Sequence, residues 1–154
     1  PMRWDDLARE PCSVARSLSV IGDRWTLLIL RDCFLGVRRF EAFQARLGIS
    51  RSIVTDRLNL LVDEGVLERR AYQERPMRHD YRLTAKGLDL HPVIMAIVDW
   101  GDRHYAGEAG PPILRRHKAC GCDFHAVQVC SECGEPITAR DVEARPGPGA
   151  LPAR

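Results

Sequence analysis

No stretch of this sequence approaches the roughly 20 consecutive apolar residues that a membrane-spanning helix requires. The longest aliphatic run is Leu27-Leu28-Ile29-Leu30, so no membrane partner is expected. The opening residues, Pro1-Met2-Arg3-Trp4-Asp5-Asp6, lack the basic-then-apolar layout of a secretory signal, and a cytoplasmic location is expected. There is no excess of either charge: 23 basic residues against 21 acidic ones leave a net +2, too small to indicate a partner without knowing where the arginines fall. No Ser/His/Asp set, phosphate-cradling glycine loop or paired carboxylates stand out, so the chain is not expected to be an enzyme. No internal repeat is evident. What is present is ordinary soluble material, 45% hydrophobic and 29% charged over 154 residues, enough for one domain and a small appendage.

Periodicity divides the chain into short elements. Val14, Leu18 and Ile21 recur at helical spacing behind Pro11 and Ser13, and Gly22-Asp23 interrupts them. A second helix begins near Trp25, carries Leu27, Leu28, Leu30 and Cys33, and ends before Gly36. Gly36 to Arg39 reads as a turn or a stub of strand. Phe40 to Leu47 predicts a short helix closed by Gly48, because glycine accepts the left-handed geometry of a helix end. Ser50 can cap the next helix, which runs to about Glu64 with Val54, Leu58 and Leu61 facing inward. From Val66 to Ala71 the period falls to two, a polar tip follows over residues 73–79, and Tyr81-Arg82-Leu83 returns, so a hairpin is expected. Thr84 then caps a long amphipathic helix to about Tyr105, with Leu88, Ile94, Ile97, Val98 and Trp100 as its apolar set and a bend at Pro92.

A short helix, a glycine turn, a capped longer helix and a basic hairpin are the parts of a winged helix-turn-helix, whose second helix enters the major groove of double-stranded DNA. With Val54, Leu58 and Leu61 inside, the outward face of helix 50–64 carries Arg51, Ser52, Thr55 and Asn59. Arginine can pair with guanine, asparagine with adenine, and hydroxyls with base or phosphate. Arg38 and Arg39, and Arg75 and Arg78 at the wing tip, are further DNA-binding candidates, alongside Arg46, Arg57, Arg69 and Arg70 as a wider pool for phosphate contacts. Any one of these arginines could equally be solvating the surface.

Six cysteines complete the picture. Four crowd the segment after a Gly/Pro-rich linker over residues 107–112, and in a reducing compartment such clusters are more often metal ligands than disulfides. His117-x2-Cys120-Gly121 and Cys130-x2-Cys133-Gly134 are two knuckle-like turns, and thiolate with imidazole suits tetrahedral Zn2+. The expected ligands are His117, Cys120, Cys130 and Cys133, with Cys122 as the first substitute for His117 and His125 as another. A disulfide is the competing reading. A structural zinc fits a segment too small to fold on a core of its own. The expected fold class is therefore mostly α with a small β-hairpin wing, plus a small C-terminal zinc-ribbon-like β tail. The domains run over 10–106 and 113–145, with 146–154 disordered.

Cys12-Ser13-Val14-Ala15-Arg16 and Ile21-Gly22-Asp23-Arg24-Trp25-Thr26-Leu27-Leu28-Ile29-Leu30-Arg31 closely resemble the opening of HxlR-type regulators, a branch of the MarR-like winged-helix proteins. The likeness continues through Gly36-Val37-Arg38-Arg39-Phe40, Gly48-Ile49-Ser50, Leu58 to Gly65 and Tyr81-Arg82-Leu83-Thr84-Ala85-Lys86-Gly87. It covers about Pro11 to Trp100. One departure is Arg51, where family members often carry proline, a residue that only pre-sets the helix start. The resemblance implies a homodimeric transcription regulator, a repressor by expectation, held by its N- and C-terminal helices. It also implies a small-molecule or oxidant effector. In some members a cysteine at the place of Cys12 senses oxidation; packing beside Trp25 or a partner helix is the alternative. Two other classes of function compete: a protein-interaction adaptor built on the tail, and a zinc- or thiol-based redox enzyme.

Overall fold

Three of the helices begin where a side-chain oxygen takes up amides that would otherwise lack partners. In the computed structural model, which describes residues 3–150, a 3-10 helix over Trp4–Arg9 precedes α1 (Ser13–Ile21). α2 (Arg24–Phe34) opens on Asp23, whose carboxylate accepts from the amides of Trp25 and Thr26. α3 (Phe40–Leu47) ends at Gly48 in the left-handed conformation, φ +63°. α4 (Arg51–Asp63) starts behind Ser50, whose hydroxyl accepts from the Ile53 amide at 3.3 Å. The strands β1 (Leu67–Glu74) and β2 (Met77–Leu83) pair antiparallel, from Leu67 opposite Leu83 to Glu74 opposite Met77. Thr84 caps α5 (Ala85–Leu88), and α6 (His91–Tyr105) follows.

The chain forms two compact units, one up to His91 and one from Pro92 onward. In the first, Ile29, Leu30, Phe43, Val54, Leu58 and Leu61 are fully buried, joined by Val66 and Leu67 where the hairpin begins. Each such aliphatic or aromatic side chain contributes roughly 1.5–3 kcal/mol by leaving water. The inward set of α4 is therefore the one its periodicity predicts. In α3 only Phe43 is fully buried, and Phe40 and Leu47 are half-exposed. Asp32 is buried too, with its carboxylate 2.9 Å from Arg31 and 3.2 Å from Arg46. A buried carboxylate is costly unless paired, so Asp32 ties the last turn of α2 to α3.

The structure corrects three expectations. The hairpin tip is only Arg75-Pro76, because Gln73, Glu74 and residues 77–79 belong to the strands. A bulge between Ala71 and Gln73 leaves Tyr72 without a partner across the ladder, and Arg39 adds one isolated bridge to Asp80. Second, the long helix from Thr84 is not bent but broken. α5 stops at Leu88 and α6 begins at His91, since in a continuous helix Pro92 would have no amide to donate to the Leu88 carbonyl and its ring would clash with that carbonyl. Of the expected apolar set, Ile94 is buried and Val98 half-buried, while Leu88, Ile97 and Trp100 are 56%, 47% and 52% exposed in the single chain. Third, the tail makes two isolated bridges, Arg116 with Asp123 and Val129 with Pro136, and no strand among the described residues. Residues 146–150 carry no helix or strand; the remainder of the expected disordered end, 151–154, lies outside the described residues.

Candidate nucleic-acid interface

The seating of Val54, Leu58 and Leu61 turns the polar side of α4 outward. Arg51, Ser52 and Asn59 are exposed and Thr55 is half-buried. The Arg51 guanidinium lies over the Phe40 ring, 4.5 Å from its centroid, an attraction between cation and π face that holds the charge at the helix start. Ser52 Oγ sits 3.4 Å from Ser50 Oγ. Thr55 donates its hydroxyl to the Arg51 carbonyl at 2.9 Å, which leaves oxygen lone pairs and a methyl group for an outside contact. Asn59 accepts from the Arg69 guanidinium, so a two-pronged pairing with adenine would have to displace Arg69.

Arg38 and Arg39 lead into α3 and flank the hairpin. The Arg38 carbonyl accepts from the Tyr81 amide at 2.7 Å, which fixes its backbone while the side chain stays exposed. Arg39 lies 3.7 Å from Asp80 and stacks on Tyr72 at 4.4 Å. Arg75 and Arg78 project from the wing, exposed and without an ion pair among the described residues. The wider arginine pool divides. Arg46 is held by Asp32, Arg57 by Asp23 at 2.8 Å and Arg70 by Glu68 at 2.6 Å. Arg57 fastens α4 to the start of α2, because Asp23 also caps that helix. Its guanidinium, helped by the amides of Thr26 and Trp25 and opposed by partial burial, holds the Asp23 carboxyl below its usual range. Asp23, Asp32, Phe40 and Tyr72 were not among the predicted site residues; an aspartate just ahead of a helix start was the one signal in the sequence.

The cysteines occupy three settings. Cys12 is exposed immediately before α1. Cys33 is partly buried, and burial together with the Asp32 carboxylate pushes its thiol up to about 12, so it remains protonated. In the tail, His117 Nδ1 and Cys120 Sγ are 3.4 Å apart. The amides of Cys133 and Glu132 point at the Cys130 sulfur and lower its thiol below the ordinary value. Cys122 directs its thiol instead at the Cys120 carbonyl, 3.6 Å away. Among the described residues, no three His, Cys, Asp or Glu side chains gather around one point as a metal ion needs. No described helix is long and apolar enough to cross a membrane.

Helix, left-handed glycine turn, capped helix and antiparallel hairpin, in this order, define a winged helix-turn-helix protein. The family described as HxlR-like helix-turn-helix matches residues 20–109, and the chain belongs to that family of transcriptional regulators, for which DNA is the implied partner. It is 47% identical over 137 residues to the uncharacterized HTH-type transcriptional regulator Rv3095 of Mycobacterium tuberculosis, covering 89% of this chain and 87% of that one. It is similar to the crystal structure of PA1607, a candidate transcription factor, with a TM-score of 0.80 and 36% identity over 90% of this chain and 96% of that one. It is also similar to the redox regulator HypR in its reduced form, at a TM-score of 0.56 and 28% identity over 60% of this chain and 92% of that one.

Proposed function

We propose that the protein is a cytoplasmic, homodimeric, sequence-specific regulator that lays α4 in the major groove and rests the hairpin tip on the minor groove or backbone. It acts as a repressor by occupying promoter DNA. The observation that carries this reading is the outward face of α4: Arg51, Ser52 and Asn59 stand in solvent while the opposite side of the same helix is fully buried. Arg51, Ser52, Thr55 and Asn59 then read base edges, and Arg38, Arg39, Arg75 and Arg78 neutralise phosphates.

Two chains are needed because a single reading helix covers only half a site. Large apolar side chains left in water support the pairing: Val14 and Leu18 on α1 are 66% and 40% exposed, and Ile97, Trp100 and Tyr105 on α6 are 47%, 52% and 75% exposed. A second copy that covers them recovers the apolar burial a lone chain lacks.

Genomic footprinting of the purified protein tests the reading. Arg51→Ala should weaken specific binding by about tenfold, as the loss of one good base contact does. Arg75→Ala should weaken binding to all sequences and lower the salt slope by about one. If Arg51→Ala leaves both footprint and affinity unchanged, α4 is not the reading helix. Sedimentation of Trp100→Glu should show a monomer where the parent protein is a dimer.

A second reading, that Cys12 makes DNA binding oxidant-sensitive, is supported by its exposure at the start of α1 and by the similarity to HypR. Peroxide would convert the Cys12 thiol to a sulfenic acid with release of water. Binding by Cys12→Ser should then ignore peroxide; an unchanged response in that variant rules the sensor out.

A further inference from the structure

The tail consists of two copies of one turn. In the first, the His117 amide donates to the Cys122 carbonyl at 2.9 Å, Gly121 to His117 at 2.8 Å and Phe124 to Arg115 at 2.9 Å. Thirteen residues on, the same bonds recur: Cys130 donates to Glu135 at 2.8 Å, Gly134 to Cys130 at 2.8 Å and Ile137 to Gln128 at 3.1 Å. The bridges repeat as well, Arg116 with Asp123 and Val129 with Pro136. Both turning glycines are left-handed, with φ of +71° at Gly121 and +76° at Gly134. The repeat escaped the sequence reading because few side chains take part in it.

This register decides which donors correspond. His117 takes the place of Cys130, and Cys120 that of Cys133. Cys122 takes the place of Glu135, beyond the glycine, where the backbone carbonyl closes the turn. Within the first turn, imidazole and thiol already face each other at 3.4 Å, while the Cys122 thiol faces a backbone carbonyl. Each turn thus offers two soft donors three residues apart, half of what a tetrahedral thiophilic cation demands. No residue of the tail beyond Tyr105 is buried among those described, so no apolar core holds the two turns to one another.

We infer that the tail is a duplicated half-site: His117 and Cys120 from one turn and Cys130 and Cys133 from the other, which do not meet around one point in this structure, jointly bind one zinc ion that draws the two turns together, with Cys122 outside the coordination sphere. Joining the halves supplies the long-range link that side-chain packing does not. The site carries no role in reading DNA, so it stands or falls separately from the function proposed above.

The test uses the full-length protein, purified under reducing conditions, with metal content measured by elemental analysis and by non-denaturing mass spectrometry. About one zinc per chain is expected, since four donors complete one tetrahedral site. Cys122→Ser should keep the ion, and Cys120→Ser and Cys133→Ser should lose it while the winged-helix melting transition persists. His117→Cys guards against a folding artefact: it should keep the metal. In the cobalt-substituted form its sulfur-to-metal absorption should rise by about a third as three thiolates become four. Loss of zinc from Cys122→Ser with retention in His117→Ala would overturn the ligand assignment. A parent protein that neither contains zinc nor takes up cobalt would overturn the site.

Discussion

The first unit and the tail are ordered by different means. Up to His91, order comes from side chains: a dry aliphatic and aromatic centre, a buried Asp32 between two arginines, and caps at Asp23, Ser50 and Thr84. Beyond Tyr105 no described residue is buried, and the visible regularity lies in backbone hydrogen bonds that repeat. The contrast shows that a fold can be specified by what fills its interior or by where its backbone turns. Only the first kind stands without an added link between distant parts of the chain.

The sharpest way to break this comparison is to truncate one apolar residue on each side. Leu58→Ala should cost about 2–5 kcal/mol, the range for emptying a fully buried leucine site, seen as an earlier urea midpoint. Phe124→Ala, at a site 40% exposed, should cost less than about 1 kcal/mol. Equal losses would show that the tail has a working core after all. A smaller effect is expected from Gly87→Ala. A Cβ there would sit 2.2 Å from the Val66 carbonyl oxygen and 3.0 Å from Leu83 Cδ2, and overpacking of this kind costs roughly 1–3 kcal/mol. A thermal melt indistinguishable from that of the parent protein would mean that α5 is not pressed against Val66 and the end of β2.

Smaller again is Asp23→Asn, which weakens a cap and an ion pair together and should cost about 1 kcal/mol. Its pH dependence is diagnostic. Because the folded carboxyl lies below its ordinary value of 3.8, the stability it contributes is complete above that value and is lost as pH falls through the lower folded one. Melts between neutral and strongly acid pH should therefore converge for parent and variant at the acid end; a constant gap would remove Asp23 as the titrating group. The last contrast is chemical. In the folded protein, alkylation followed by mass spectrometry should label Cys12 and leave Cys33 unmodified, since a thiol held near 12 presents almost no thiolate at neutral pH.

What could be read from the sequence follows the same division. α4 was legible residue by residue, because Ser50, Val54, Leu58 and Leu61 lie within a few turns of one another and encode cap and buried face locally. The hairpin was legible in kind but drawn with too long a tip, since Glu74, Met77 and Arg78 carry polar or flexible side chains in strands that both continue to Arg75-Pro76. α6 misled: an amphipathic pattern shows which residues share a face but not what covers it, and Ile97 and Trp100 are exposed in the single chain. The partners of Arg46 and Arg57 were invisible because Asp32 and Asp23 are distant in sequence. The duplication was invisible for another reason. Between the two copies only the second donor and the glycine are identical, Cys120 with Cys133 and Gly121 with Gly134, and the rest of the likeness is carried by peptide groups.

Asp23 joins two parts of the domain through a single carboxylate. Oδ1, which accepts both amides of the first turn of α2, also accepts from Arg57 Nε in the middle of α4, while Oδ2 accepts from the other end of the same guanidinium. The middle of α4 is thus pinned to the root of its neighbour, and a displacement of α2 cannot be absorbed without either dragging α4 along or unfastening the pin.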